Sequence, residues 1–474
     1  MRQQSYSSIQ QQLTTGSLSC RELVASFLAR IEATRASNWF VEVYAEEAMN
    51  RADLIDQKIR SGKAGKLAGM VIGVKDVIAH SDHGLQAASR ILEGFQSQVT
   101  ATALHRLLEQ DVIVIGRQNC DEFAMGSSNE YSAFGPSANP IDPGRVPGGS
   151  SGASAAAVAA GCCHASLGSD TGGSVRQPAS FCGVVGMKPT YGRISRWGLI
   201  AYASSFDQIG PIAHSIEDVE LLLACMSGPD GRDHSMPPDQ PEYLRAEPID
   251  RPLRIGLLRE SMTSKGLQPA IKHRMESFVR ELRSQGHTVT EYAFPLLDAM
   301  VPCYYILTTA EASSNLNRFD GVHYGRRAES VQNLHDVYQL SRTEGFGTEV
   351  QKRIMLGSFV LSEGYVDAYF THAQKVRRKI TDETMTMFDS CDVLMSPTAP
   401  TVPFRQGEKV DDPVTMYLSD IYTVHANLVG APAISIPFGM DEDGLPFGLQ
   451  IMGKPWDDSM LLTISRKIQS AVSR

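Results

Sequence analysis

Two serines stand 24 residues apart in one Gly/Ser-rich tract, each inside a glycine-lined turn, with a lysine well upstream. The first turn reads Pro147-Gly148-Gly149-Ser150-Ser151-Gly152 and the second Gly168-Ser169-Asp170-Thr171-Gly172-Gly173-Ser174. The lysine, Lys75, ends the apolar run Val71-Ile72-Gly73-Val74. A serine hydroxyl attacks a carbonyl only once a base takes its proton, and glycines let backbone N–H groups crowd around the oxygen that then becomes negative. The spacing points to acyl transfer with lysine, rather than histidine, as the base.

Three other readings of these turns lose ground on their flanks. Gly148-Gly149-Ser150-Ser151-Gly152 fits the GxSxG pattern of a nucleophile elbow, but that elbow follows a strand. Here the preceding dozen residues hold Pro136, Pro140, Pro143 and Pro147, which cannot line a central strand. A phosphate cradle needs a Lys-Ser/Thr pair or GxGxxG, and neither turn has one. Of the twelve histidines only His80 and His83 are close, with no evident third ligand and no HExxH, so no metal site is expected.

The surrounding elements that must hold these turns read as α/β. Ser19-Cys20-Arg21-Glu22 has capping-box spacing and opens a helix with Leu23, Phe27 and Ile31 on one face. Further helices are expected over 46–60, 101–110, 215–226, 268–284, 348–382 and 457–471. The Ala-rich run after Ser151 is read as a helix that includes Cys162 and Cys163. Strands are expected at Met70–Val74, Asp111–Gly116, Leu253–Leu258, Thr288–Tyr292, Asp392–Ser396, Ala433–Pro437 and Phe447–Met452. Strands and helices mix without strict βαβ alternation, which predicts a mixed twisted sheet with helices on both faces.

No linker or repeat divides the 474 residues, so a single large α/β domain is expected. Within it we expect a core at about 66–215, a less regular middle at about 225–345 and a C-terminal part at about 346–474. The net charge of −9, with no Lys/Arg block, argues against this chain being the main grip on nucleic acid. Eight cysteines without a CxxC pair fit free thiols in a reducing cytoplasm. The Gln-rich N-terminus lacks the apolar core of a signal peptide, and no run suits a membrane span.

The residues from Gly148 to Ala157, then Gly168-Ser169-Asp170-Thr171-Gly172-Gly173-Ser174-Val175-Arg176-Gln177-Pro178-Ala179, continue into Phe181-Cys182-Gly183-Val184-Val185-Gly186-Met187-Lys188-Pro189-Thr190-Tyr191-Gly192-Arg193. Together they resemble the amidase signature family. That resemblance implies a Ser–cisSer–Lys triad: Ser174 as the acylated nucleophile, Ser150 as a bridging serine on a cis peptide, and Lys75 as the base. It also implies an oxyanion hole from the Thr171, Gly172 and Gly173 turn. A lysine base must be neutral at working pH, which requires its pKa to fall by about three units, or roughly 4 kcal/mol.

Outside the signature, Asp121 to Glu130, Ala310 to Leu316, Glu344 to Gly357 and Asp411 to Val424 are similar to the glutamine-hydrolysing subunits of tRNA-dependent amidotransferases. This likeness implies glutamine as substrate, with Arg353 on its α-carboxylate, Asp420 on its α-ammonium and Tyr304 closing the pocket. It further implies a partner subunit that binds tRNA, ATP and Mg, a small third subunit, and no cofactor in this chain itself. Without the likeness, Arg353 and Asp420 read as a surface salt-bridge residue and a helix cap. A stand-alone amidase and a non-catalytic scaffold are the alternatives. Three positions depart from the pattern: Ala153 replaces a glycine, His425 a proline and Cys120 a methionine.

Overall fold

The computed structural model describes residues 5–472 apart from 240–242, 244 and 265. Eleven strands form one sheet: β1 (Phe40–Val43), β2 (Val71–Lys75), β3 (Ile113–Gln118), β4 (Ala165–Asp170), β5 (Val185–Lys188), β6 (Gln208–Ala213), β7 (Arg254–Leu258), β8 (Thr288–Tyr292), β9 (Val393–Pro397), β10 (Ala433–Met440) and β11 (Pro446–Met452). Their order across the sheet is β1-β3-β2-β4-β6-β5-β10-β11-β9-β7-β8. β3, β2 and β4 run parallel, as do β8, β7 and β9, while the strands between these triplets pair antiparallel. The expected mixed sheet is what forms.

Alternation along the strands divides the interior between the two faces. Ile72, Val74, Val114, Ile209 and Ala213 join the large core that also takes the helices Thr102–Glu109, Ile216–Met226 and Asp458–Val472. Val71, Ile113, Ile115 and Ile212 join a second core, under the helices Cys20–Ala33, Ala45–Arg60 and Gly152–Ala159. The Ser19 capping box forms in full: its hydroxyl accepts the Glu22 N–H, and the Glu22 carboxylate accepts the Ser19 N–H.

Four strands lay outside the expectation: β1, β4, β5 and β6. Each is short and holds Gly, Ser, Asp, Glu, Gln or Lys that breaks the apolar run a strand reading needs. The Ala-rich helix is shorter than expected. It ends at Ala159, so Cys162 and Cys163 lie in the turn leading to β4. Besides the expected β7, β8 and the helix Pro269–Ser284, the middle at 225–345 supplies two helices that were not expected, Leu297–Asn315 and Leu334–Gly345. Within this middle, the described residues between Met226 and Arg254 and those from 319 to 333 have neither helix nor strand. The helix expected over 348–382 is interrupted: Thr348–Val360 is separate, and a π-helical turn at Asp367–Thr371 leads into His372–Phe388. The polar N-terminus is helical from Tyr6 to Thr15, and its first four residues lie outside the described residues. No helix among the described residues is long and apolar enough to cross a membrane.

One ion pair locks the two ends of the chain together. Arg176, fully buried, donates from Nε and Nη2 to Asp170 at 3.1 and 2.9 Å. It also donates from Nη1 to the Thr423 carbonyl and Gln450 Oε1, and from Nη2 to Asn427 Oδ1. Although burial alone would push the Asp170 carboxyl up, this partner holds it near 2. Removing one member of such a pair strands the other charge in the interior. Arg176→Met is therefore expected to lower the unfolding free energy by about 3–5 kcal/mol, measured as a fall in the denaturant midpoint. An unchanged midpoint would show that the pair is not a structural lock.

Candidate active site

Lys75 ends β2, where the strand is paired on both sides and its side chain is sealed from solvent. β2 and β4 are parallel, so Lys75 and the turn that follows Asp170 emerge at the same carboxyl edge of the sheet, where α/β folds place their ligands. Its Nζ lies 2.7 Å from Ser150 Oγ, 2.9 Å from Ser151 Oγ and 2.9 Å from Ser169 Oγ. Ser151 donates its own proton to the Ser169 carbonyl and accepts the Ser169 N–H, so it can only accept from Lys75. A neutral lysine donating to Ser151 and Ser169 has its lone pair left for the Ser150 hydroxyl. Burial pushes the Lys75 pKa down to about 8, against the pull of Asp121, Asp170 and Asp207.

The Gly149–Ser150 peptide is cis. Only glycine fits before it, because a Cβ on Gly149 would stand 2.1 Å from Asp121 Oδ2. The turn is held from outside by Gln177, whose Oε1 accepts the Gly149 N–H while its Nε2 donates to the Ser127 carbonyl. Ser174 lies in the turn after β4, and its carbonyl accepts the Ser151 N–H at 3.1 Å, which ties the two serine turns together. Ser150 is fully enclosed whereas Ser174 keeps 8% of its surface open. The inner serine can thus exchange protons with Lys75 while the outer one faces an incoming carbonyl.

The turn expected as the oxyanion hole differs in one donor. The Gly173 N–H is committed to Asp170 Oδ1 at 2.9 Å, which leaves Thr171, Gly172 and Ser174 as the turn's other backbone donors. Gly173 is needed for its shape instead. Its φ is 136°, and a Cβ there would lie 2.2 Å from Thr423 Oγ1. Thr423 donates to the Gly172 carbonyl, and the Thr171 hydroxyl donates to Asp207, so the turn is braced on both sides.

Of the three residues expected around the substrate, Tyr304 lies against this turn, and it feels the charges of the other two, Arg353 and Asp420. Tyr304, on the helix Leu297–Asn315, lies against Gly172, where an added Cβ would come within 2.5 Å of its ring. Asp420 accepts from Ser127 Oγ at 2.5 Å, and burial pushes its pKa up to about 7. Arg353 is buried, not a surface residue. Its Nε donates to Glu349 at 2.8 Å, its Nη1 donates to Tyr202 Oη at 3.0 Å, and its guanidinium lies 5.2–5.7 Å from the ring centres of Tyr202, Tyr305 and Tyr417. Nη2 has no protein acceptor among the described residues and can take a carboxylate oxygen.

Several contributors were not singled out from the sequence. Glu349 sits four residues before Arg353 on one helix, a spacing that could have flagged it. Tyr202, Gln177, Asp207 and Thr423 carry no local signal, since only the fold brings them here. His425 points away from the turn. It stacks on Phe294, pairs with Thr384 Oγ1 at 2.7 Å, and burial pushes its pKa down to about 3, so it is a neutral core residue. Ala153 and Cys120 are likewise buried, with the Ala153 N–H on Asn129 Oδ1. His80 and His83 stack at 4.1 Å, and no group of three potential ligands forms a metal site among the described residues.

A buried lysine wired to the inner of two glycine-cradled serines meets the profile of a known family, since the profile described as Amidase matches residues 22–462. The chain belongs to the amidase family. Among amidase-family proteins it is 47% identical to the A subunit of the glutamyl-tRNA(Gln) amidotransferase of Cupriavidus necator, over 97% of this chain and 94% of that protein. It is also 47% identical to the A subunit of the same enzyme from Chlorobium phaeobacteroides, over 99% of each. The crystal structure of the corresponding A subunit from Thermotoga maritima superposes with a TM-score of 0.78 at 39% identity, covering 95% of this chain and 91% of that one. A peptide amidase from Stenotrophomonas maltophilia superposes with a TM-score of 0.82 at 26% identity, over 100% and 97%.

If neutral Lys75 is the active form, amide hydrolysis rises with pH through about 8 and levels off above it. The pH profile of kcat/KM checks this, and a profile flat from 6 to 10 would exclude a lysine base.

Proposed function

We propose that this amidase is the glutamine-hydrolysing subunit of a tRNA-dependent amidotransferase, acting as the ammonia source for the conversion of Glu-tRNA(Gln) to Gln-tRNA(Gln). The observation that carries the reading is a pair of buried groups, cationic Arg353 and acidic Asp420, whose charges act on each other and on Tyr304, the residue that lies against Gly172 of the serine turn. Glutamine is an amide with an α-carboxylate and an α-ammonium. Nη2 of Arg353 takes the carboxylate inside its cage of tyrosines. Asp420 takes the ammonium, whose charge returns the buried acid to carboxylate.

Neutral Lys75 draws the proton of Ser150, which draws that of Ser174, and the Ser174 oxygen attacks the side-chain amide carbon. The oxyanion settles on the free N–H groups of the turn, each worth a few kcal/mol in such sites. The proton on Lys75 returns through Ser150 to the leaving nitrogen, and ammonia departs. Water then attacks the γ-acyl ester on Ser174, giving glutamate and restoring the hydroxyl. Activation of the glutamyl-tRNA, with ATP and Mg, belongs to a partner subunit that also grips the tRNA, and a small third subunit completes the assembly. The chain's net charge of −9 supports that division.

The decisive assay is ammonia release from glutamine, by the chain alone and by the assembled complex, with and without ATP and Glu-tRNA. The complex is expected to release ammonia, faster with both additions. Ser174→Ala is expected to reduce this release by about 10³-fold or more. Release from simple amides but not from glutamine would instead make the chain a stand-alone amidase. Release that survives Ser174→Ala would exclude this serine as nucleophile.

A second outcome concerns the pocket. Arg353→Lys loses the planar fork and the ring stacking, and is expected to raise KM for glutamine by about 10- to 100-fold with kcat little changed. Steady-state kinetics over a range of glutamine concentrations reads both parameters.

A further inference from the structure

Arg353 lies in the second turn of the helix Thr348–Val360, and that helix has no side-chain cap of its own. Its cap residue is Gly347, which has no side chain to offer. The missing acceptor comes from far away in sequence: Glu122 Oε2 takes the Gly347 N–H at 2.8 Å. The contact needs glycine, because a Cβ on Gly347 would stand 2.4 Å from that oxygen. Ser89 Oγ donates to the other Glu122 oxygen and lies 3.1 Å from the Gly345 carbonyl, so its one proton is shared between the two acceptors. Glu122 and Ser89 therefore hold both sides of the Gly345-Phe346-Gly347 junction. Phe346 packs edge-on against Phe123 within it. Glu122 is buried, and the proposed chemistry gives it no role.

The segment that holds this clamp also reaches the opposite side of the pocket. Five residues beyond Glu122, Ser127 bonds Asp420. One short loop thus fixes the starting point of the Arg353 helix and the orientation of the Asp420 carboxylate.

We propose that Glu122 is a positioning residue for substrate selection: acting through Gly347 and the helix it caps, it sets where the Arg353 guanidinium meets the α-carboxylate of glutamine. The proposal rests on glutamine being the substrate. Losing a hydrogen bond to a buried carboxyl at the helix start displaces Arg353 without touching Lys75, Ser150 or Ser174, so the loss falls on binding rather than on the relay.

The test is the steady-state kinetics of glutamine hydrolysis by the assembled protein. Glu122→Ala is expected to raise KM by about 10-fold, with kcat within about two-fold of wild type. Glu122→Gln keeps a carbonyl for the Gly347 N–H and an amide for Ser89, and restores KM to within about three-fold. In an Arg353→Lys background, Glu122→Ala adds no further rise, because both changes act on one contact. If Glu122→Ala fails to fold, Ser89→Ala, which cuts only the link to Gly345, is expected to raise KM in the same direction. An unchanged KM, a fall in kcat alone, or rises that multiply independently of Arg353 would each overturn the proposal. A wild-type protein that does not hydrolyse glutamine would overturn the substrate reading and this inference with it, whereas an active wild type with an indifferent Glu122→Ala variant sinks only the inference.

Discussion

The buried ion pair between Asp170 and Arg176 is the constraint on which the site depends. Asp170 ends β4 and accepts the N–H groups of Gly173 and Val175, so it shapes the turn that presents Ser174. Arg176 would be costly to bury alone, and its charge is met by Asp170, Asn427, Gln450 and the Thr423 carbonyl. The Ser174 turn is thus held in place by β11 and the segment 423–427, through contacts to Arg176 that span 247 to 274 positions of sequence.

A second constraint concerns proton affinity. Lys75 is placed at the end of a strand with no exposed surface, and burial makes its charged form expensive. Three hydroxyls surround its nitrogen at 2.7–2.9 Å, so the charged form is not left unsolvated when it arises. The environment keeps both protonation states within reach near neutrality, which a base that must also return its proton requires. Neither a fully exposed nor an unpartnered lysine would do so.

Much of this was legible in the chain, and the reasons differ by element. β2, β7, β8 and β11 announced themselves as apolar runs bounded by turns, and the capped helices by their spacing. Lys75, Ser150 and Ser174 stood out through the combination of a strand-end lysine with two glycine-lined serine turns, and their roles came from the resemblance of the whole signature tract. β4 and β6 did not, because Gly168, Ser169, Asp170, Gln208 and Gly210 interrupt the apolar pattern. The Tyr202, Tyr305 and Tyr417 cage of Arg353 was hidden for another reason: its members come from three separate segments that only the finished fold brings together. The Gly173 donor that the family resemblance implied for the oxyanion hole is bonded to Asp170 instead, a contact that depends on how the turn closes.

The strand order has a consequence for how such a protein could be cut or recombined. The signature strands β4, β5 and β6 lie in the middle of the sheet, and β5 is paired on its far side with β10, which arrives some 245 residues later. A fragment holding only the lysine and the two serines would end in an open sheet edge. Its Arg176 would keep Asp170 but lose Asn427, Gln450 and the Thr423 carbonyl. The signature region is therefore not a detachable module. A chimera that exchanged the helices around Tyr304 and Arg353 to recognise a different amide would have to keep Thr423, Asn427 and Gln450, so new specificity can be grafted onto this scaffold only from within its closed circuit.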